Sequence, residues 1–200
     1  MGRDITKCHP ELQQKCARLI EKCAKKGLNI AVGECYRTVE EQNELYAQGR
    51  TKAGNIVTNA KGSDYSSHHQ WGTAFDFYRN DRKGAYNDSD GFFSKVGSVG
   101  KSLGLEWGGD WTSPVDKPHF QLPYWGSTTA ELKRLYGTPE EFKKTWEAEE
   151  MEKIYNWTLE VPKWARPTVQ KLLDKGYLKG NDKGELELTY SMLKLLVVND

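Results

Sequence analysis

The chain has 200 residues, enough for one domain of about 150 residues and a small additional unit. Its formal net charge of +1 excludes the strongly basic surface typical of nucleic-acid-binding proteins, so we predict no nucleic-acid partner. It contains no apolar run of eighteen residues and no N-terminal signal pattern, so we predict no membrane insertion and no cleavable leader, and we expect synthesis in the cytoplasm.

The first predicted elements are a helix, a strand and a second helix. An amphipathic helix spans residues 10–26, and a strand follows over 29–37. The capping-box pattern Thr38-x-x-Glu41 predicts the start of the second helix. Arg37 therefore lies at a strand-to-helix junction, where a side chain can be held at the rim of a cleft. From this pattern alone, an exposed surface arginine is the favoured interpretation.

Four cysteines lie within the first 35 residues, and no two of them form a C-x-x-C motif. Two of them are seven residues apart on the first predicted helix, on the same side as its leucines. We therefore predict that the cysteines fill core space as free thiols, in preference to forming a disulfide or a zinc cluster. They are Cys8, Cys16, Cys23 and Cys35.

The next stretch carries the first predicted metal ligands. Residues 50–68 have no periodicity and predict a long loop that walls a cleft. The apolar alternation that follows predicts a short strand containing Asp76. A carboxylate on a half-buried strand is costly unless it is paired or metal-bound, and His69 can return beside it across a turn at Gly72. The alternative is His68, because adjacent side chains on an extended backbone point to opposite sides and only one can face the metal.

A third ligand and a general base are predicted further along the chain. A helix over 91–103 and a strand over 105–108 lead to a last strand that begins at His119. With His69 and Asp76, His119 completes a set of two histidines and one carboxylate, which leaves a fourth tetrahedral position open for water, as in catalytic zinc sites. Asp116, three residues earlier, is predicted to lie close to that water and to accept its proton.

Two tryptophans flank the loop that carries the predicted base. Trp107 precedes this loop and Trp111 lies near its start, so both can line the cleft. Core packing is an equally favoured interpretation for Trp107. We assign Trp111 to the substrate-binding wall.

These residues form motifs that resemble a known family. The pattern S-x-H-x-x-G-x-A-x-D, followed by an acid-x-x-His element, resembles the zinc D-Ala-D-Ala and L-alanyl-D-glutamate peptidases, whose wider group includes the hedgehog signalling domain. The resemblance covers about residues 9–125 and is strongest to the L-alanyl-D-glutamate endopeptidases of phage endolysins and wall-remodelling enzymes. Its residues are Ser67, His69, Gly72, Ala74, Asp76, Asp116 and His119, with Tyr36 to Gln42, Leu45 to Thr51 and Glu106 to Trp111 as further similar stretches.

The resemblance implies a fold and a role for each matched residue. It implies an α+β domain with a small antiparallel sheet flanked by helices. It selects His69 over His68 as a zinc ligand beside Asp76 and His119, and it makes Asp116 the base. Arg37 is implied as the donor to the scissile carbonyl or to a substrate carboxylate, which suits a guanidinium fork. The further substrate contacts that it implies are Gln42 and Ser67.

The implied function is hydrolysis of the L-alanyl-D-glutamate bond in the peptidoglycan stem peptide. One alternative is a D,D-carboxypeptidase or dipeptidase that acts on D-Ala-D-Ala with the same metal site. The other is a non-catalytic module that binds the cell wall. For an enzyme of this kind, we expect action on the wall after release through a holin or by another route.

The C-terminal part is predicted to be a separate small helical unit. Helices are predicted over 129–136 and 139–155, and the pattern W-A-x-x-x-V-x-x-L-x-x-K-G-Y-L-x-G, which begins at Trp164, resembles a surface-layer-homology repeat. Such a repeat implies wall binding, with self-association or docking on the catalytic domain as alternatives.

We thus predict a catalytic domain over 1–137, a helical linker over 138–156 and an accessory domain over 157–200. The apolar positions of the accessory domain must pack on something; they are Val169, Leu172, Leu173, Leu193 and Leu196.

Overall fold

The computed structural model describes residues 2–163 and 165–198, without the side chains of residues 147–152, 191, 194 and 198. It divides into two compact units, Met1–Lys143 and Lys144–Asp200. The assignment of these regions to a catalytic domain, a linker and an accessory domain stays a prediction.

The first unit has an α+β architecture, which confirms the predicted fold class. Four antiparallel strands form one sheet in the order β1-β2-β4-β3. Helices cover one face of this sheet and follow its last strand. The elements are α1 (Pro10–Lys25), β1 (Ile30–Val32), α2 (Val39–Ala47), β2 (Ala74–Arg79), α3 (Phe92–Ser102), β3 (Glu106–Trp107), β4 (His119–Gln121) and α4 (Ala130–Tyr136); α5 (Pro139–Glu152) begins in this unit and ends in the second.

Alternation along the two central strands separates a core face from a polar face. Phe75, Phe77 and Phe120 are almost fully buried and join the apolar side chains of α1 and α3 in one core. The intervening residues Asp76 and His119 point to the opposite face, because successive side chains on a strand alternate. The polar face of β2 and β4 therefore carries two of the predicted metal ligands.

The four cysteines are core residues, and two of them lie on helix α1. Its buried positions recur at helical spacing, and two of them are Cys16 and Cys23. All four cysteines are free and buried, which confirms the prediction that they fill core space. The helix begins after His9, whose side chain accepts a hydrogen bond from the Glu11 amide and so acts as the N-cap.

The predicted strand over 29–37 is shorter in the structure, where β1 ends at Val32. The chain beyond it still contacts β2, because the Gly33 amide donates to the Asp76 carbonyl and the Asp76 amide donates to the Glu34 carbonyl, both at 2.7 Å. Local periodicity could not predict this end, since it depends on where the pairing with β2 becomes irregular. The capping box of Thr38 and Glu41 is present and begins α2 as predicted.

Two glycines of α3 allow this helix to lie directly on the sheet. A Cβ atom at Gly97 would lie 2.4 Å from the Trp107 ring, and one at Gly100 would lie 2.2 Å from the Phe120 ring. Phe120 directly follows His119 on β4. The close approach of α3 therefore fixes the position of the strand that presents His119.

The second unit has its own small core and is not wholly helical. Helices α6 (Arg166–Asp174) and α7 (Tyr190–Val198) pack with a two-stranded antiparallel ribbon formed by β5 (Ile154–Tyr155) and β6 (Leu188–Thr189). The predicted helix over 139–155 is therefore wrong at its end, since α5 stops at Glu152 and a strand follows. Strands of two residues carry no readable alternation, so the sequence did not reveal this ribbon.

Four of the five apolar residues predicted to need a packing partner contribute to this local core, and Leu172 does not. Val169 and Leu193 are fully buried in it, and Leu173 and Leu196 pack against it. The motif that resembles a surface-layer-homology repeat begins at Trp164, which lies outside the described residues, and the resemblance stays a prediction. Within the described parts of both units, no helix combines the length and apolar character needed to cross a bilayer.

We predict that replacing Gly100 by alanine destabilises the fold. The new methyl group would overlap the fully buried ring of Phe120, and overpacking of this kind costs about 1–3 kcal/mol. The free energy of unfolding, measured with urea, should fall by that amount. Ser98→Ala on the exposed side of α3 is the control and should change it by less than about 0.5 kcal/mol. A more stable Gly100→Ala protein would show that helix propensity outweighs the contact.

Candidate metal centre

A cleft of about 780 Å³ lies over the polar face of the sheet. The loop after α2 lines it, as predicted, together with Asp76 on β2, two residues of β4 and the loop before β4. All but one of the predicted site residues line this cleft: Arg37, Ser67, His69, Asp76, Trp111, Asp116 and His119. The exception is Gln42, which is fully buried behind the cleft wall.

The three predicted ligands converge in this cleft. One ligand atom from each of His69, Asp76 and His119 lies within 4.8 Å of the other two. The Asp76 Oδ1 atom is 3.4 Å from His69 Nε2 and 3.1 Å from His119 Nδ1. The antiparallel register of β2 and β4 pairs Asp76 directly with His119, and the turn before β2 brings back His69.

The donor set and its spacing fit a transition-metal ion. Ligands held at about 2.0–2.2 Å from a tetrahedral ion lie roughly 3.3 Å from one another, close to both observed distances. Two imidazoles with one carboxylate suit zinc and similar metals, whereas Mg²⁺ and Ca²⁺ favour oxygen ligands. The other nitrogen of each imidazole is held within the protein: His69 Nδ1 lies 2.7 Å from the Cys35 carbonyl oxygen, and His119 Nε2 lies 3.1 Å from Gln121 Oε1. Such partners orient metal-binding histidines.

The charges at this site depend on one another. Burial acts to raise the pKa of Asp76, but the two imidazoles outweigh it and hold that pKa far below its ordinary value. Burial acts to lower the pKa of His119, but the hydrogen bond to Asp76 and its charge raise that pKa above the ordinary value. Asp76 is therefore held as an anion, the form that a metal ligand requires.

Asp116, the predicted base, lies near the ligand group in the chain and in the cleft. It lines the same cleft, and its backbone carbonyl accepts a hydrogen bond from the His119 amide at 3.2 Å. Burial raises the pKa of its carboxyl group, and the nearby Asp76 also raises it, while the His119 imidazole acts in the opposite direction. Gly108 permits this turn, since a Cβ atom there would lie 2.5 Å from the Asp116 carbonyl oxygen.

His68 lies in the same cleft but outside the ligand group. Its Nδ1 atom is 2.9 Å from the Thr73 hydroxyl oxygen, and its buried Nε2 atom has no hydrogen-bond partner among the described residues. Burial, with smaller contributions from His119 and His69, lowers the pKa of His68 to about 3. The structure thus favours His69 as the ligand of this pair and keeps His68 neutral.

Arg37 is held by a buried network. Its Nη1 atom donates to Gln42 Oε1 at 2.6 Å, and its Nη2 atom forms an ion pair with Glu34. The amide nitrogen of Gln42 donates to the Ala60 carbonyl at 2.7 Å and to the Thr58 hydroxyl at 3.3 Å. The assignment of Gln42 as a substrate contact therefore needs correction, because its side chain is buried and already bonded. Its position fits a role in orienting Arg37 and the cleft loop.

The two tryptophans take different positions. Trp107 is a core residue whose indole N–H donates to the Lys117 carbonyl at 2.8 Å. This decides between the two interpretations left open for Trp107. Trp111 lines the cleft, with its ring centroid 5.0 Å from that of His119 and its N–H bonded to Glu106. Ser67 is half-buried and also lines the cleft.

Comparisons with known proteins agree with this geometry. A family model described as D-alanyl-D-alanine carboxypeptidase matches residues 61–122, which include all three ligands and Asp116. The peptidoglycan L-alanyl-D-glutamate endopeptidase CwlK of Bacillus subtilis strain 168 is 39% identical over 123 residues, which cover 57% of this chain and 72% of that protein. The chain belongs to the D-Ala-D-Ala and L-alanyl-D-glutamate peptidase family.

Two further proteins are similar to this chain, one in sequence and one in structure. The L-alanyl-D-glutamate peptidase of Listeria phage A118 is 32% identical over 130 residues, which cover 63% of this chain and 42% of the phage protein. The crystal structure of the Serratia marcescens L-Ala D-Glu endopeptidase ChiX aligns with a TM-score of 0.42 and 21% identity, over 59% of this chain and 82% of that one.

The structure also places residues at the site that the sequence analysis missed. Gln121 and Glu106 lie behind His119, and the Cys35 carbonyl lies behind His69. Gln121 could have been found, because it follows His119 by two residues on one strand and so shares its face. Glu106 and Cys35 could not, because their proximity depends on strand pairing that local patterns do not specify.

We predict that His69→Ala abolishes metal binding and that His68→Asn retains it. Only His69 belongs to the ligand group, while His68 faces Thr73. The measurement is the rise in melting temperature when Zn²⁺ or Co²⁺ is added to chelator-treated protein. Mg²⁺ serves as the control ion and should cause no rise in the wild type. Loss of the rise in His68→Asn with retention in His69→Ala would reverse the assignment.

Proposed function

We propose that this protein is a zinc peptidase that hydrolyses the L-alanyl-D-glutamate bond of the peptidoglycan stem peptide. The observation that carries the proposal is the convergence of His69, Asp76 and His119 beside Asp116 in one open cleft. Family membership supports the reaction class. The names of the Bacillus and phage relatives support the L-alanyl-D-glutamate bond as the one that is cleaved. The phage relative supports action on the cell wall.

Zinc, when bound by the two imidazoles and Asp76, supplies Lewis-acid chemistry that polarises a carbonyl group and acidifies water. The chain itself supplies the proton transfers. Asp116 accepts a proton from the attacking water and returns it to the leaving amine as the peptide bond breaks. Its raised pKa brings it closer to neutral pH, which favours a group that must both accept and release a proton.

Arg37 acts on the substrate side of the cleft. A guanidinium group has five N–H donors, and the contacts to Gln42 and Glu34 leave others for a developing oxyanion or for a stem-peptide carboxylate. Because the network holds the group in place, little reorganisation is needed when the substrate arrives. Ser67 and Trp111, which both line the cleft, are the proposed contacts to the rest of the peptide.

The proposed cleavage site is tested by digesting purified peptidoglycan of known composition and weighing the products. Cleavage between L-Ala and D-Glu should leave glycan-linked L-Ala with a free carboxyl group and release peptides with an N-terminal D-Glu. The activity should disappear with a chelator and return with Zn²⁺. Release of single terminal D-Ala residues would instead indicate a carboxypeptidase, and wall binding without products would indicate a binding module.

We predict that Asp116→Asn retains zinc but loses most of its turnover. Asparagine preserves the shape of the side chain but cannot accept the proton, and general-base catalysis typically contributes about 10²- to 10⁴-fold. The measurements are bound zinc per chain and the rate of wall hydrolysis. Asp110→Asn is the matched control, because Asp110 is exposed and pairs with Lys101 instead of facing the cleft. Full activity of Asp116→Asn at equal zinc content would remove Asp116 from this role.

A further inference from the structure

A continuous line of hydrogen bonds runs behind His119 along the polar face of the sheet. The Trp111 indole N–H donates to Glu106 Oε1 at 2.8 Å, and the Gln121 amide nitrogen donates to Glu106 Oε2 at 3.1 Å. The Gln121 Oε1 atom then lies 3.1 Å from His119 Nε2. Strand register builds this line, since Glu106 pairs with Gln121 across β3 and β4, and Gln121 is two residues from His119 on β4.

The direction of each hydrogen bond in this line is fixed by chemistry. An indole N–H can only donate, so Glu106 accepts from Trp111 with one oxygen and from Gln121 with the other. The Gln121 NH₂ group also faces the Gly126 carbonyl at 3.4 Å, which again can only accept. The amide of Gln121 must therefore present its oxygen to His119.

This orientation keeps a proton on Nε2 of His119. Gln121 Oε1 is an acceptor, so His119 Nε2 must be an N–H donor. Nδ1, which donates to Asp76 at 3.1 Å when no metal is bound, is then the nitrogen that would offer its lone pair to a metal in the ligand group. Only a lone pair can bind a metal, so this tautomer is the competent one.

We propose that Glu106, acting through Gln121, is a positioning residue that fixes His119 in the tautomer able to bind metal through Nδ1. This inference rests on the proposed role of His119 as a ligand. Neither Glu106 nor Gln121 belongs to the ligand group. Their contribution is to the orientation and protonation of a ligand. For His69 the corresponding acceptor is the Cys35 backbone carbonyl, which side-chain substitution cannot remove, so His119 is the ligand whose support can be tested.

The decisive variant is Glu106→Gln, which is nearly isosteric. The new amide would accept from Trp111 with its oxygen and donate its NH₂ to Gln121. Gln121 would then turn its own NH₂ toward His119 Nε2, which would become the acceptor, and the one proton left on the imidazole would be on Nδ1. Reversing the direction of these hydrogen bonds therefore leaves a proton on Nδ1, the nitrogen through which His119 would bind the metal. Zinc affinity, measured by competition with a chelator, should fall about 10- to 100-fold.

The double variant Glu106→Gln with Gln121→Glu restores the original direction. The carboxylate at position 121 accepts from His119 Nε2–H and from the new amide at position 106, while Trp111 still has an acceptor. Zinc affinity should return to within a few-fold of the wild type. Glu131→Gln, an exposed residue paired with Arg134 on α4, is the control for the same chemical change and should have no effect.

A second readout separates this inference from the proposed function. Ring ¹⁵N chemical shifts of metal-free protein report whether Nε2 of His119 carries a proton. We expect a protonated Nε2 in the wild type and in the double variant, and an unprotonated Nε2 in Glu106→Gln. Unchanged shifts and affinity in Glu106→Gln, or a double variant as weak as the single one, would overturn the inference. Absence of zinc binding in the wild type, with the expected shifts, would instead contradict the proposed function alone.

Discussion

The candidate site depends on the antiparallel register between β2 and β4. That register places Asp76 opposite His119 on the polar face and places Phe75 opposite Phe120 on the core face. A shift by one residue would exchange the two faces and bury the carboxylate among phenylalanines. The close contact between Gly100 and Phe120 holds β4 against α3, so the packing of the core and the geometry of the metal ligands are set by one arrangement.

The three ligands and Arg37 are each held by neighbouring polar groups. Asp76 stays ionised because two imidazoles offset the cost of its burial, and each imidazole has an acceptor behind it. Arg37 is fixed in the same way by Gln42 and Glu34. Buried polar groups are costly when unpaired and rigid when fully paired. The cleft is therefore organised before a substrate arrives, which is what electrostatic catalysis requires.

Much of the first unit could be predicted because the sequence patterns that specify its helices and strands involve only neighbouring residues. The capping box at Thr38, the helical spacing of Cys16 and Cys23, and the alternation around Asp76 each depend on a few neighbouring residues. The predictions that failed depend on distant partners. Strand β1 ends where its pairing with β2 becomes irregular, and the β5–β6 ribbon joins segments more than thirty residues apart.

The sequence by itself determined the chemical identity of the site, because ligand types and their order along the chain are properties of residues: His69, Asp76, Asp116 and His119 are readable without coordinates. Only the tertiary structure decided how these groups are supported. It buried Gln42 behind Arg37, assigned Trp107 to the core, and brought Glu106 across from Gln121. The physical reason is that support comes from hydrogen bonds between strands and loops, whose pairing is set by packing of the whole domain and leaves no local pattern in the chain.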